Sequence, residues 1–180
     1  TAVFLRFPLK GRRGESLLVW TTTPWTLTAN VAAAVHPDLT YVKVRDGNDI
    51  LYLAKGCMKV LKDKGAEVLE EMPGTKLAGW EYEGPFDDLP AVKKSLGPRD
   101  HRVIPWTEVS ESEGTGIVHI APGCGREDFA LGKELGLSAI APIDEEGIYF
   151  DGFGELTGKP ASGVAEAILA DLQKRGIRYK

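Results

Sequence analysis

Glycine and proline punctuate this sequence from end to end, 21 and 11 of them in 180 residues. Long helices cannot form across such breaks, so the chain reads as many turns and short elements, with strands favoured over a helix bundle. Apolar residues 4–7 form a strand ended by Pro8, and residues 17–23 form a second, rich in β-branched and aromatic side chains, that Pro24 must end. Residues 32–35 are a third strand. Residues 41–45 and 50–54 make a hairpin around Asp46-Gly47-Asn48-Asp49. Residues 103–109 form an edge or bulged strand, because Pro105 has no N–H for a ladder. Residues 117–121 are apolar on both faces, which marks a buried strand.

Three helices are expected, over residues 55–64, 126–135 and 161–175, with Gly65, Gly136 and Gly176 as stops and Ser162 as the N-cap of the last. Residues 73–102 read as irregular. Strands and helices mix without regular alternation, so the expected fold is α+β, one domain over residues 1–180, with a barrel-like sheet and flanking helices.

Composition narrows the function. With 22 Lys and Arg against 26 Asp and Glu, the net charge is −4, which does not suit a free-standing nucleic-acid binder. Two cysteines are too few for a disulfide scaffold and suit a reducing compartment. No apolar run reaches the ~20 residues of a membrane span and no targeting peptide is visible, so a cytoplasmic location without membrane contact is expected. The chain starts at Thr1 within what reads as strand, as a piece of something longer would.

Two segments carry unusual chemistry. In Trp20-Thr21-Thr22-Thr23-Pro24-Trp25-Thr26, three hydroxyls end a strand between two aromatics. Strand alternation puts Thr21 and Thr23 on one face and Thr22 on the other with Trp20. Hydroxyls both donate and accept, which suits a ribose or an ester, although threonine also simply favours strands.

The second segment, Gly114 to Phe129, reads strand, glycine loop, helix. His119 interrupts the strand and must either be satisfied in the core or line a pocket. Gly123 and Gly125 let backbone approach a ligand, but the spacing is neither of the usual phosphate-binding patterns. Asp128 and Glu127 fall in the first helical turn, where they favour the helix dipole; a carboxylate there can also hold a cationic amine. His119 and Cys124 lack further ligands at zinc spacing, so no metal site is expected. Cys57 reads as packing, Cys124 as a poor nucleophile, and His36 and His101 as solvent-facing loop residues.

Together the two segments resemble the editing domains of isoleucyl-tRNA synthetases. The carrying residues are Trp20 to Leu27, Ala29-Asn30-Val31-Ala32 and Val35-His36-Pro37, then Gly114 to His119, Ala121-Pro122-Gly123 and Asp128-Phe129, with Gly74, Gly79, Tyr82, Pro85 and Phe86 between. The resemblance covers essentially the whole chain. Valyl and leucyl relatives carry arginine where this chain has Thr23, which favours the isoleucyl branch. Thr28 replaces a usual proline and Cys124 a usual histidine, so no chemistry is placed between the two glycines.

The resemblance implies a β-barrel domain inserted in a class I synthetase core, known as connective peptide 1. Its implied activity is hydrolysis of valine wrongly attached to the isoleucine tRNA, with valyl-adenylate as a second substrate attributed to such domains; the alternative is a module that grips the tRNA acceptor end without catalysis. It implies that Asp128 binds the substrate ammonium, that His119 and Thr23 wall off the longer side chain, and that Thr21 and Thr22 meet the adenosine and the ester. Trp20 and Trp25 pack around them, with Ala121 and Pro122 as further substrate contacts. The implied partners are the valine-bearing 3′ end of the tRNA and the rest of the synthetase chain, the isolated domain being a monomer. No cofactor is implied for editing, whereas the parent enzyme uses ATP and magnesium.

Overall fold

The computed structural model describes residues 2–180. One mixed sheet organises them: β1 (Val3–Pro8), β2 (Glu15–Thr21), β3 (Ala32–Val35), β4 (Thr40–Asp46), β5 (Asp49–Ala54), β6 (Glu67–Pro73), β7 (Arg102–Pro105) and β8 (Ile117–Ile120). Their order is β6-β4-β5-β2-β8-β3-β7, with β1 antiparallel to β2. Opposite β1, β2 is shared, since Glu15 to Leu17 pair in parallel with β5 and Trp20 pairs with β8. The sheet divides there and curls into a half-barrel, flanked by the short helices α1 (Gly74–Leu77) and α2 (Pro90–Ser95) and by α3 (Arg126–Leu135) and α4 (Ala165–Lys174). The barrel-like α+β reading therefore holds. No helix among the described residues is long and apolar enough to cross a membrane.

Several elements differ from the sequence expectation, each for a local reason. β2 stops at Thr21 rather than Thr23, because Pro24 opens a 3₁₀ turn over Pro24–Ala29 and the Thr23 N–H already turns back to Thr21 Oγ1 (3.1 Å). Residues 55–60 form a 3₁₀ turn that buries Cys57 in place of a longer α-helix. β6 has no sequence signature: from Glu67 to Glu71 every residue is exposed, so no buried face imposes alternation. Backbone pairing with β4 holds it, helped by the Arg45–Glu67 and Lys55–Glu71 ion pairs. The irregular stretch 73–102 contains α1 and α2. Ser162 caps nothing; it lies in a separate 3₁₀ turn, Ala161–Gly163, and α4 starts after Val164.

The core decides where α3 sits. β3 is nearly all alanine and buried on both faces. Ala33 and Val35 face the main core, while Ala32 and Ala34 join Ile104, Val109, Ile120 and Leu131 in a second cluster. Leu131 is the long side chain that α3 buries, and Pro122 lies against Gly132 one residue further on. Small residues on the sheet and Gly132 on the helix thus let α3 sit close, with its first turn beside the end of β8.

One glycine is fixed by two independent demands. Gly114 has φ +68°, and a Cβ there would overlap the Trp20 indole. Gly114→Ala is expected to cost about 2–4 kcal/mol, combining left-handed strain with overpacking. Gly11, at φ +75° with nothing within 4 Å, isolates the strain alone, and Gly11→Ala should cost only about 1–2 kcal/mol. Urea unfolding of both variants checks the difference.

Candidate functional site

An open cavity of about 250 Å³ lies where the end of β2, the 3₁₀ turn after it, the end of β8 and the first turn of α3 meet. Thr21, Thr23, Trp25, Thr26, His119, Ala121, Cys124, Gly125 and Asp128 line it. Residues about a hundred positions apart thus converge because β2 and β8 pair at Trp20 and Val118.

His119 forms one wall. Its ring is buried, and both nitrogens are engaged. Both N–H groups of the Asn30 amide act as donors, to the Ala32 carbonyl (3.1 Å) and to His119 Nδ1 (2.8 Å). Asn30 Oδ1 accepts from the Tyr82 hydroxyl (2.6 Å). Because Nδ1 accepts, Nε2 carries the proton and donates to Thr26 Oγ1 (2.9 Å), whose hydroxyl donates to the Thr23 carbonyl (2.8 Å). The chain of donors runs one way, from Tyr82 to Thr23, and it fixes both the tautomer and the tilt of the imidazole. Burial pushes the His119 pKa down to about 4, so the ring is neutral near neutral pH.

Asp128 lines the same cavity, half-buried. Its Oδ2 accepts the Ala121 N–H (3.0 Å), which ties the start of α3 to the end of β8. Burial raises its pKa, the backbone hydrogen bond opposes the shift, and Glu127 adds to it. With His119 neutral, Asp128 is the only charged group lining the cavity among the described residues. Cys124 also lines it. Burial, with the Asp128 charge behind it, pushes the thiol up to about 12, so the sulfur is protonated at neutral pH and is a poor nucleophile.

Among the residues singled out from sequence, Thr21, Thr23, Trp25, His119, Ala121 and Asp128 come together in this cavity, and Trp20, Thr22 and Pro122 are not in its lining. Trp20 covers Gly114, Thr22 is exposed, and Pro122 packs under α3. Gly123 serves packing rather than a ligand, since a Cβ there would overlap the Ile140 backbone. His101, read as solvent-facing, is buried at φ 59°, with Nε2–H on the Asn30 carbonyl (3.1 Å) and Nδ1 3.2 Å from the Asp87 carboxylate. His36 is half-buried, its Nδ1 accepting the Asp38 N–H (3.0 Å).

Sequence reasoning gave no role to Thr26 or to the supporting pair Asn30 and Tyr82, and it placed no chemistry at Cys124, which lines the cavity as a protonated thiol. An asparagine directly before a strand of small apolar residues was the available signal for Asn30, because a buried amide demands partners.

No family model matches the chain. It is 40% identical over 179 residues to an isoleucine–tRNA ligase of Methanothermobacter thermautotrophicus, covering 99% of this chain and 17% of that protein. It is 44% identical over 189 residues to the isoleucine–tRNA ligase of Pyrococcus furiosus, covering 99% and 18%. The Thermus thermophilus enzyme of the same name is 40% identical over 185 residues, covering 99% and 17%. The chain thus spans less than a fifth of the length of these curated relatives. Among solved structures, GlLeuRS-CP1 superposes with a TM-score of 0.76 at 14% identity, covering 100% of this chain and 98% of that one. The editing domain of the P. knowlesi cytosolic leucyl-tRNA synthetase superposes at 0.57 and 10% identity, covering 75% and 63%.

The buried imidazole has a thermodynamic signature. Its folded pKa, about 4, lies below the ordinary 6.5, so the unfolded chain binds more protons between those values. The contribution is fully present above pH 6.5 and is lost as pH falls toward 4, by about 3 kcal/mol in all. Urea titrations should show this loss in the wild type and a correspondingly weaker one in His119→Gln, whose side chain does not titrate.

Proposed function

We propose that this chain, which belongs by sequence with one segment of the isoleucyl-tRNA synthetases and by fold with synthetase editing domains, hydrolyses the ester joining valine to the 3′ end of the isoleucine tRNA. The observation that carries the reading is one carboxylate in an otherwise uncharged, threonine-lined cavity with a neutral histidine for a wall.

The need for such a site is energetic. One methylene in an apolar pocket is worth ~1–3 kcal/mol, the general figure for isoleucine–valine selection by these synthetases, so a synthesis site alone passes errors. A second cavity that admits valine and excludes isoleucine by overlap removes them. In this reading Asp128 holds the substrate ammonium through its free oxygen while Oδ2 stays on the Ala121 N–H. An ammonium there also offsets the desolvation that raises the Asp128 pKa. His119, Thr23 and Thr26 bound the side-chain space, and Thr21 stands at the ester. Valyl-adenylate presents the same amine and side chain and fits the same contacts.

Water is the nucleophile. Its oxygen bonds the acyl carbon, the bond from that carbon to the ribose oxygen breaks, and the ribose oxygen takes up a proton. No lining side chain is free to act as a base: both His119 nitrogens are engaged, Cys124 keeps its proton, and Asp128 holds the amine. The neighbouring ribose hydroxyl orients the water, and the rate comes from positioning and electrostatics. The same engagement leaves His119 no lone pair for a metal, so chelators should not change the rate. The rest of the synthetase supplies most tRNA contacts, as the net charge of −4 requires.

In the intact synthetase, Asp128→Asn should lower kcat/KM for valyl-tRNA deacylation about 100-fold, as for loss of one charge-assisted contact. Undiminished hydrolysis removes the ammonium role, and tight binding of valyl-tRNA without hydrolysis by the wild type replaces the hydrolase with a binding module. His119→Ala should admit isoleucyl-tRNA and lower the preference for valine by at least about tenfold. An unchanged preference clears His119 of the sizing role.

A further inference from the structure

α3 sorts its charges by face. Glu127 and Glu134 line a separate groove with Trp106, Glu108, Ala130 and Leu131. On another face Arg126, Phe129 and Lys133 stand at the i, i+3, i+7 spacing that stacks side chains one above another. All three are exposed, Phe129 by 48%. The Lys133 ammonium lies 5.7 Å from the centre of the Phe129 ring. Among the described residues, neither Arg126 nor Lys133 makes an ion pair. An exposed aromatic that touches one cation and stands one turn from another, neither of them ion-paired among the described residues, thus lies on a chain of net charge −4.

The stripe begins beside two residues of the cavity lining, Gly125 and Asp128. The Phe129 N–H donates to the Gly125 carbonyl (2.8 Å), so the ring sits one helical turn beyond a glycine of the cavity lining, next to Asp128. Aromatic faces accept any nucleobase by stacking, and flanking cations neutralise the phosphates on either side. Arg126 and Lys133 are about 10 Å apart along the helix axis, a span of one to two nucleotides. The Asp128 carboxylate lines the cavity, where the amine is placed, and Arg126, Phe129 and Lys133 do not.

From this juxtaposition we propose that Arg126, Phe129 and Lys133 form a subsite for unpaired ribonucleotides, receiving a base on the Phe129 ring and its adjoining phosphates on the two cations. The proposal rests on the editing reading, which puts the terminal ester in the neighbouring cavity, and it identifies the bound strand as the unpaired nucleotides leading to that ester.

The test uses the intact synthetase and two substrates, valyl-tRNA and the valyl ester of adenosine alone. Phe129→Ala should raise KM for valyl-tRNA about tenfold with kcat unchanged, and should leave hydrolysis of valyl-adenosine as in the wild type. Phe129→Trp should restore the tRNA KM. Lys133→Gln and Arg126→Gln should each raise the tRNA KM and reduce the slope of its logarithm against the logarithm of salt concentration by about 0.7. A tRNA KM for Phe129→Ala within twofold of wild type overturns the subsite while leaving the editing reading intact, and so does equal damage to both substrates. A wild-type enzyme that hydrolyses neither substrate overturns the editing reading and the subsite with it.

Discussion

The arrangement of the site depends on a histidine that must stay neutral. His119 sits on β8 at the seam where the sheet divides, almost wholly buried behind the cavity it lines. Desolvation brings its pKa down to about 4, against the opposing effect of the hydrogen bond at Thr26. What makes the neutral ring a rigid part rather than a buried liability is that each nitrogen has a partner with only one possible role. The Ala32 carbonyl forces the Asn30 amide to present N–H to Nδ1, and the Thr23 carbonyl takes the Thr26 hydroxyl proton, leaving that oxygen to accept from Nε2. A buried polar network is stabilising only when every member is satisfied, and this one is satisfied from Tyr82 to Thr23.

The network also joins parts of the chain that the sequence keeps far apart. Asn30 follows the 3₁₀ turn, Tyr82 lies in the irregular middle stretch, and its ring stacks on Phe7 of β1 at 5.1 Å and lies beside His101. His101 in turn donates to the Asn30 backbone. The first sheet strand, the middle segment and the cavity wall are thereby coupled through one asparagine, whose side chain and carbonyl are both used. On the other side of the cavity the coupling is through packing. Alanines at 32 and 34 leave room for Leu131, Leu131 holds α3, and the Ala121 N–H fixes Asp128.

These two kinds of support explain what was legible in the sequence. Strands with a buried face announced themselves, because burial imposes a pattern on side chains. β4, β5 and β8 are of this kind, and their expected limits were close to those observed. β6 carries no such pattern because no face of it is buried from Glu67 to Glu71. The ends of elements were read less well where a side chain competes with the backbone, as where the Thr21 hydroxyl takes the Thr23 N–H and stops β2 early. Thr23 still reaches the cavity, but because of the turn and not because of strand alternation. Of the site, the residues with distinctive chemistry were visible: Asp128, His119 and the threonines. The residues that orient them were not, since Asn30, Tyr82 and Thr26 are ordinary until their partners are known. His101 was misread for the same reason: a loop histidine is solvent-facing unless something buries it, and what buries it lies 71 residues earlier in the chain.

Size exclusion, the task assigned to this cavity, places a particular demand on its wall. Overlap with one extra methylene discriminates only if the obstacle does not yield, since a side chain that can rotate aside turns a clash into a modest strain. An aliphatic residue at position 119 would be held by packing alone, on the open side of a cavity where packing is incomplete. An imidazole with hydrogen bonds at both nitrogens is held from two directions, and displacing it would strand buried donors and acceptors at a cost of about 1–3 kcal/mol each. That penalty is comparable to the value of the methylene being discriminated. A polar residue is therefore better suited than an apolar one to form the apolar limit of such a pocket, and under the proposed editing function the polarity of His119 serves rigidity rather than proton transfer.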